Sequence, residues 1–552
     1  MKLKQLIIIA CSVVLLLLGS CSKLNDDFNG LLDNPNAPSS NSADADLLLN
    51  NVELSFVSFA RGLSAYGEQL TRMTVFYGPT YDNAYYPTSF DGVWSTAYTS
   101  IFKNIDAMML VADEKYMHQG IAKTLKAYTL MTLVDCFGDV PYTEANKGIE
   151  VPNPVADAGG TIYAGAITLL DEAIADFAQS APAPSNDLFY DGDGTKWATL
   201  AKTLKLKAYV QTRLVDASVK SGIQALLDEG DLIDDVSEDF EFKYSSQSQA
   251  PDSRDPRYSG NYTATGSGDY MGNYFMWAMH EEKGMTDPRI RYCFYRQTLD
   301  IEADIPDLTT LQFTIPCLFR AYPANYPEGT PFCMLSNGYF GRDHGNNEGI
   351  PPDNQFRTTW GIYPAGGEFD ADQGSAVSAG IGGQGQGIFP IWQSAYTYFL
   401  EAEAALILET SGDAESLMES GIRASFSKIL GYPATIGVSV NESYVPTETE
   451  KNDYVDYVKD IYESAGSSDA MLDIIIKEYY LALWGNGIEP FNNYRRTGKP
   501  ANMQPVLQTN PGPFIRSYIY PNVYVSLNLN AEQKANNLVK VFWDTNPDDF
   551  IK

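Results

Sequence analysis

The chain has 552 residues, of which 44% are hydrophobic and 12% aromatic, and its formal net charge is −32. This length and composition allow a large buried core and roughly two to four domains. The acidic excess repels phosphate groups, and Lys and Arg form no evident cluster along the sequence. Both observations argue against a nucleic-acid partner and favour neutral ligands over anionic glycans.

The amino-terminal segment resembles a bacterial secretory signal that ends at a lipid-attachment site. Lys2 and Lys4 precede an apolar run that is well short of the ~20 residues a membrane-spanning helix needs. The sequence LGSC at 18–21 resembles a lipobox. We therefore predict a signal peptide at 1–20, a diacylglycerol on the Cys21 thiol and further acylation of the Cys21 amine. Cleavage leaves 36 basic and 70 acidic residues, a net charge of −34.

Residues 21–43 are predicted to form a lipidated tether in front of the globular body. Much of this segment is rich in Asn, Asp, Pro and Ser, a composition typical of linkers. The segment SKLNDD at 22–27 resembles the short acidic export signal of surface lipoproteins. Because two or three acyl chains hold a protein stably in a bilayer, we expect a lipid-anchored outer-membrane protein exposed at the cell surface.

The body, residues 44–552, is predicted to be mostly α-helical and to form one large unit. Apolar residues recur at helical spacing in several stretches, and no change of composition marks an interdomain linker. The predicted helices cover about 45–77, 92–114, 118–136, 162–177, 196–218, 392–406, 414–430, 451–464 and 472–483. Most of them form adjacent pairs with short connections, which indicates antiparallel helix hairpins.

Between about 230 and 388 the sequence is rich in Gly, Pro, Tyr and Asn, which predicts an irregular, loop-rich insertion with short strands. Long ordered loops usually serve binding, so we expect this insertion to face a ligand. The GIGGQG sequence at 380–385 fits a dinucleotide-binding pattern, but no strand precedes it, and we predict a loop. The DGDG sequence at 191–194 lacks the later ligands of a calcium loop, which favours a turn before the helix of Trp197.

Cysteine and histidine usage gives no indication of a metal or cofactor. Four cysteines remain after Cys11 leaves with the signal and Cys21 takes the lipid, namely Cys136, Cys293, Cys317 and Cys333. The oxidising exterior permits a disulfide among the last three, whereas Cys136 is expected to be a small buried residue. None of the three histidines has metal-ligand spacing, and we expect no bound metal.

Several separated segments resemble the SusD/RagB-like nutrient-binding lipoproteins of the outer membrane. The closest resemblance is LVDCFGDVPYTEA at 133–145. Further matching segments, in chain order, are 190–197, 287–289, 341–345, 352–354, 363–367, 399–405, 484–485, 494–500, 520–521 and 526–528. The GRDHG segment at 341–345 resembles the SusD-like subgroup in particular.

This resemblance implies a mostly α-helical body of tetratricopeptide-like helix pairs with an irregular ligand-facing region. It also implies a protein without catalytic activity that holds an oligosaccharide, or in some members a peptide, and closes a SusC-like TonB-dependent transporter like a lid. Within the 133–145 segment we expect structural roles. Gly138 and Pro141 suit a helix exit, and Asp139 and Glu144 can accept from exposed amides or pair with a base such as Arg495.

Candidate ligand-binding residues lie in three places. A neutral sugar requires flat aromatic faces and planar amides or carboxylates, and the loop from Tyr77 to Phe90 supplies both. Trp360 and Tyr363 offer a second platform beside Asp353 and Asn354. The predicted set is Tyr81, Asn83, Tyr85, Tyr86, Arg342, Asp343, His344 and Trp360. The alternatives are that individual rings anchor loops and that the 342–344 triplet organises its own loop, while Trp94 and Trp197 belong to the core.

The function predicted from these observations is capture of an oligosaccharide for delivery to the transporter. Peptide cargo is the main alternative, and the acidic surface favours basic or neutral peptides. A surface glycoside hydrolase is a less favoured alternative, because no carboxylate pair stands out in the sequence and no GxSxG, HExxH or P-loop pattern is present. A purely structural role at the transporter is the third.

Overall fold

The computed structural model describes residues 44–551 except 79, 267 and 350. The predicted signal peptide, the lipidation site at Cys21 and the tether lie outside the described residues. Among the residues that are described, none of the helices combines the length and apolar character needed to cross a membrane.

Helices dominate the described chain. In order they are α1 Ala45–Leu70, α2 Asp91–Ser95, a π-helical stretch Thr96–Phe102, α3 Lys103–Met109, α4 Tyr116–Phe137, α5 Gly159–Phe177, α6 Gly194–Thr212, α7 Val219–Glu229, α8 Pro256–Asn261, α9 Asn273–His280, α10 Ile290–Cys293, α11 Ile301–Asp304, α12 Leu308–Thr314, α13 Ser394–Leu408, α14 Ala414–Thr435, α15 Glu448–Glu463, α16 Ser468–Ala482, α17 Ile488–Thr497 and α18 Asn522–Leu527. The prediction of a mostly α-helical protein is confirmed.

Consecutive long helices pack as antiparallel hairpins. Gly120 near the start of α4 lies against Phe177 at the end of α5, whereas Gly159 at the start of α5 lies against Val134 near the end of α4. Helices α13 and α14 form a second extensive pair. Side chains cap the starts of several other helices. For example, the Thr447 and Glu450 side chains form a capping box at α15.

Some helices differ from the sequence prediction. The first helix ends at Leu70 rather than near 77, because Arg72 adopts a left-handed backbone conformation with φ 66°. The buried Arg72 guanidinium donates to the carbonyls of Leu70 and Gln504, so a distant segment fixes this ending. Helix α17 was not predicted; all ten of its residues are buried although six of them are polar, and so short and polar a segment shows no sustained apolar stripe.

The insertion at about 230–388 contains short helices and short strands, as predicted. Strand β1 (Phe240–Lys243) pairs antiparallel with β4 (Ile388–Trp392), and β2 (Phe294–Tyr295) pairs antiparallel with β3 (Thr359–Trp360). The 380–385 sequence is a loop, in which Gly382 is essential because a Cβ there would lie 2.0 Å from the Gly367 carbonyl oxygen. The β1–β4 pair ties the beginning of the insertion to its end.

The 133–145 segment has the structural role expected of it. Asp135 at the end of α4 is fully buried and accepts hydrogen bonds from Tyr163, Asn492 and Trp543. Asp139 accepts from the Gly159 amide at 2.8 Å, so the predicted pairing of an acidic side chain with a free backbone amide is confirmed. This segment therefore joins α4, α5 and the carboxyl-terminal region through polar contacts in a dry interior.

Two alternatives were predicted for Glu144, namely acceptance from exposed amides or pairing with a base such as Arg495. The Glu144 carboxylate accepts from the Val155 amide at 3.0 Å. The Arg495 guanidinium instead donates to the Arg516 carbonyl and the Asn492 side chain. Of the two alternatives, acceptance from amides is the one that the structure shows.

The remaining local predictions concern two tryptophans, the 191–194 sequence and the cysteines. Trp94 and Trp197 are core residues, as expected. The 191–194 sequence is a turn in which Asp193 caps α6 by accepting from the Thr195 and Lys196 amides. Cys317 and Cys333 form a disulfide, whereas Cys136 and Cys293 are buried thiols whose pKa values burial raises. The expectation of a small buried residue at position 136 is confirmed.

Candidate ligand-binding cavity

A cavity of about 900 Å³ opens between α1 and the first part of the insertion. We call it the α1 cavity. One face of α1 lines it with residues at spacings of three and four, namely Leu54, Val57, Ser58, Arg61, Gly62, Ala65, Glu68 and Gln69. Several of these side chains are small or polar and point outward, which leaves room beside the helix.

The opposite wall comes from the insertion. It comprises Phe242, Lys243, Tyr244 and Ser245, the 251–254 segment, residues of α8, and Asp269, Tyr270 and Trp360. Tyr244 is held by its amide, which donates to the Gly387 carbonyl at 2.8 Å, so the β1–β4 pair positions this ring. Helix α1 and the insertion are nearly two hundred residues apart in the sequence, and the fold brings them to one cavity.

Trp360 borders the cavity as a fixed part of the core. It is 1% exposed, its ring stacks on Trp484 at 4.6 Å between centroids, and its indole Nε1 donates to the Asp269 carboxylate at 3.1 Å. The Arg257 guanidinium lies 5.2 Å from the Trp360 ring centroid. The sequence analysis predicted Trp360 as a ligand-binding residue, and the structure places it at the lining of the α1 cavity.

Tyr77 and Tyr244 are the more accessible rings of the cavity. Tyr77 is 46% exposed and Tyr244 is half-buried. Burial raises the pKa of Tyr244 to about 12, so its hydroxyl is neutral and can both donate and accept hydrogen bonds. The two rings and the Trp360 indole give the cavity an aromatic lining with polar edges.

The polar groups of the cavity are mostly held by neighbouring residues. The Arg257 guanidinium forms two hydrogen bonds with the buried Asp255 carboxylate, at 3.1 and 2.7 Å. Glu68 accepts from the Ser64 hydroxyl, and burial raises the pKa of the Glu68 carboxyl. Asn261 donates to Asp269 at 2.7 Å. These contacts preorganise the polar edge for a ligand.

The residues of the predicted loop site differ in burial and do not lie together at one cavity. Tyr81 is 1% exposed, and its hydroxyl hydrogen-bonds His344 at 3.0 Å and accepts from Arg72 at 3.3 Å. Tyr85 is half-buried and donates to the Gln69 side chain at 3.1 Å. Only Tyr77, at the start of this loop, lines the α1 cavity.

Asn83 and Tyr86 lie on the outside of the same loop. Asn83 is exposed and donates to the Thr80 hydroxyl, and Tyr86 is 68% exposed. Neither belongs to the residues that line the α1 cavity. Their role in ligand binding, like that of Tyr81 and Tyr85, stays a prediction.

The 342–344 triplet organises its own surroundings. The Arg342 guanidinium donates to the carbonyls of Glu348 and Gly349, and it lies 4.0 Å from the Tyr270 ring centroid. Asp343 accepts from Asn273, Gln504 and the Cys333 amide.

His344 is 2% exposed, and burial lowers its pKa well below 6.5. Arg342 and Asp343 border a second cavity of about 490 Å³, separate from the residues of the α1 wall. A ligand role for the triplet stays a prediction, while the loop-organising alternative describes the contacts seen.

Several cavity residues were missed by the sequence analysis. Tyr244, Asn261, Asp269 and Arg61 belong to no motif, and three of them come from the irregular insertion. One signal was present in α1, where small and polar residues recur on a single helical face instead of a continuous apolar stripe. Among the described residues, no cluster of three or more His, Cys, Asp or Glu side chains is arranged to hold a metal ion.

Two family models match the chain. One, described as starch-binding and associating with the outer membrane, matches residues 35–305. The other, described as SusD and RagB outer membrane lipoprotein, matches residues 384–540. The chain therefore belongs to the SusD/RagB family of outer-membrane lipoproteins, as the sequence resemblance indicated. No curated protein matches the chain.

Solved structures of this family share the fold over almost the whole chain. A SusD/RagB family protein from Bacteroides thetaiotaomicron is 18% identical with a TM-score of 0.66, covering 92% of this chain and 100% of that one. A SusD homologue from Bacteroides fragilis is 19% identical with a TM-score of 0.63, covering 91% and 99%. A chitin-binding SusD homologue from Flavobacterium johnsoniae is 17% identical with a TM-score of 0.58, covering 91% and 99%.

Proposed function

We propose that this protein binds an oligosaccharide in the α1 cavity and delivers it to a SusC-like TonB-dependent transporter. The observation that carries the proposal is the α1 cavity itself. Its volume of about 900 Å³ lies within the range of roughly 300–1,000 Å³ that is common for ligand pockets. A cavity of this size can enclose a few sugar rings of a longer chain.

The lining has the chemistry that sugar binding requires. The rings of Tyr77 and Tyr244 offer apolar faces for the C–H side of a pyranose. Gln69 and Asp269 offer amide and carboxylate groups for the hydroxyls. The aromatic faces contribute affinity, and the fixed polar groups orient the sugar.

The acidic groups of the cavity support binding rather than hydrolysis. Asp252 pairs with Arg254 at 2.7 Å, and Asp269 accepts from Asn261 and the Trp360 indole. Glu68 is buried against Ser64. A glycosidase requires two carboxyl groups free to act on opposite sides of the scissile bond, and these groups are engaged with neighbouring residues.

Family membership supports the proposed location and partner. The family models describe proteins of the outer membrane, and one structural neighbour is a chitin-binding homologue. We propose that Cys21 carries the lipid anchor at the cell surface and that the body closes the transporter. Cargo release into the transporter then needs only reversible, non-covalent contacts.

The test is calorimetric titration of the purified mature protein with a panel of oligosaccharides and a matched panel of basic and neutral peptides. We expect saturable binding of at least one glycan and no release of shorter products after prolonged incubation. Binding of peptides alone would replace glycan by peptide cargo. Product release that a single carboxylate substitution abolishes would show a hydrolase instead.

A further inference from the structure

Two cations of the α1 cavity donate no side-chain hydrogen bond within the described chain. The Arg61 side chain is 28% exposed, and its nearest carboxylate oxygen is Asp255 Oδ1 at 3.8 Å, too far for a hydrogen bond. Its guanidinium donates no hydrogen bond to any residue that the structure describes. Lys243 at the end of β1 is exposed, and its ammonium forms neither an ion pair nor a hydrogen bond with any described residue.

The carboxylate nearest to Arg61 is already satisfied. Asp255 is fully buried and receives three hydrogen bonds from Arg257, one from its amide at 2.8 Å and two from its guanidinium. It has no exposed oxygen left to neutralise a second guanidinium. Arg254, in contrast, holds Asp252 through its own bidentate pair. Arg61 is therefore the arginine of this cavity whose hydrogen-bonding capacity is available to a ligand.

The other acidic groups that line the cavity form no ion pair with Arg61 or Lys243 in the described chain. Asp269 accepts from Asn261 and the Trp360 indole. Glu68 lies on the same helix face as Arg61, where burial raises the pKa of its carboxyl while the charges of Arg257 and Arg61 oppose that rise. Burial thus disfavours a negative charge on Glu68, and Arg61 and Lys243 place two positive charges on the cavity lining.

Long-range repulsion from the acidic chain does not cancel the attraction of an anion to these two cations. The net charge is −32, but at physiological ionic strength charges are screened over about 8 Å. An anion inside the cavity interacts mainly with the groups that line it. The sequence favoured neutral ligands because no Lys and Arg cluster was evident, whereas the fold gathers Arg61, Lys243, Arg254 and Arg257 around one cavity.

We infer that the α1 cavity selects an acidic oligosaccharide, with a carboxylate or sulfate group of the glycan bound by Arg61 and Lys243. This inference rests on the proposed function and names the class of its ligand. The guanidinium of Arg61 suits planar, bidentate recognition of an oxyanion, and the ammonium of Lys243 adds a point charge. The aromatic rings contact the sugar faces, while the two cations favour sugars that carry a negative charge.

The experiment compares matched acidic and neutral glycans by calorimetry on the mature protein. The probes are oligogalacturonate against its methyl ester, and a sulfated galactan oligosaccharide against its desulfated form. We expect an acidic member to bind about tenfold or more tightly than its neutral partner at low salt, and to lose affinity as salt rises. The pair that shows the preference distinguishes carboxylate from sulfate.

Substitutions assign the preference to the two cations. Arg61→Gln and Lys243→Gln should each reduce binding of the acidic glycan and leave binding of its neutral partner and the melting temperature unchanged. Lys147→Gln is the matched control, because Lys147 is exposed, forms no ion pair with a described residue and lies outside the cavity. This variant should change the binding of neither glycan.

The outcomes separate this inference from the proposed function. If neutral glycans bind as tightly as acidic ones and Arg61→Gln has no effect, the charge selection is wrong while glycan binding stands. If no glycan binds, both fail. If only peptides with acidic side chains bind, the cations recognise a peptide and the glycan inference is overturned.

Discussion

Two aromatic regions of this protein look alike in sequence and differ in structure. In the 81–90 loop, Tyr81 contacts Phe514 at 5.1 Å and Phe90 stacks on Tyr518 at 4.7 Å between ring centroids. At the α1 cavity, Tyr77 and Tyr244 keep accessible surface. The carboxyl-terminal segment covers the first set and leaves the second open. A high density of tyrosine therefore does not identify a binding surface until the covering segment is known.

The largest expected effect separates the buried loop from the cavity. Tyr81→Ala removes a fully buried ring and its hydrogen bonds to His344 and Arg72, and should lower the free energy of unfolding by about 4 kcal/mol. Tyr81→Phe keeps the ring and should cost only about 1 kcal/mol. Denaturant titration measures both. If Tyr81→Ala instead abolished glycan binding at unchanged stability, the loop would be the ligand site after all.

Trp360 should report on both regions because it belongs to the core and borders the cavity. Trp360→Phe reduces the stacking contact with Trp484 and removes the hydrogen bond to Asp269. It should lower the free energy of unfolding by about 2 kcal/mol. We also expect weaker glycan binding at a temperature where the variant is folded. A loss of stability with unchanged affinity would remove Trp360 from the binding surface.

Two exposed tyrosines of one loop provide a matched pair. Tyr77→Ala removes a ring that lines the cavity and should weaken glycan binding about tenfold, which corresponds to about 1.4 kcal/mol. Tyr86→Ala removes a ring of equal size outside the cavity and should leave the affinity unchanged. The melting temperature of both variants should stay close to that of the parent. Equal losses of affinity would extend the site over the outer side of the loop.

The smallest expected effect is a pH dependence of stability caused by His344. Its folded pKa lies well below 6.5, because burial and the charge of Arg72 disfavour the imidazolium. The unfolded chain therefore takes up this proton first as pH falls through 6.5, and stability decreases by about 0.7 kcal/mol between pH 7 and pH 6. His344→Phe should remove that part of the slope in denaturant titrations at the two pH values. An unchanged slope would show that His344 binds this proton as readily in the folded protein as in the unfolded chain.

Local patterns in the sequence predicted much of the fold. The spacing of apolar residues located the long helices, and the acidic residues after α4 were expected to satisfy free amides, as Asp139 and Glu144 do. The end of α1 was not predictable in this way, because it depends on the contact of Arg72 with Gln504. The pairing of Cys317 with Cys333 was also left open among three cysteines and was decided by the fold.

The candidate site was less predictable than the fold for a physical reason. Arg61 and Lys243 are about 180 positions apart, and each is unremarkable in its local sequence. Tyr244 owes its position to the β1–β4 pair. Of the residues predicted from the sequence, Trp360 lines the cavity, whereas Tyr81 and His344 bond to each other in the interior.

The sequence by itself determined the family, the helical hairpins and the expectation of a surface nutrient-binding protein, because helical periodicity and family segments are encoded in neighbouring residues. The tertiary structure alone decided which aromatic rings are covered, which cations line the cavity without a hydrogen bond and which disulfide forms. Those properties depend on burial and on contacts between distant segments, and neither is present in any local stretch of the chain.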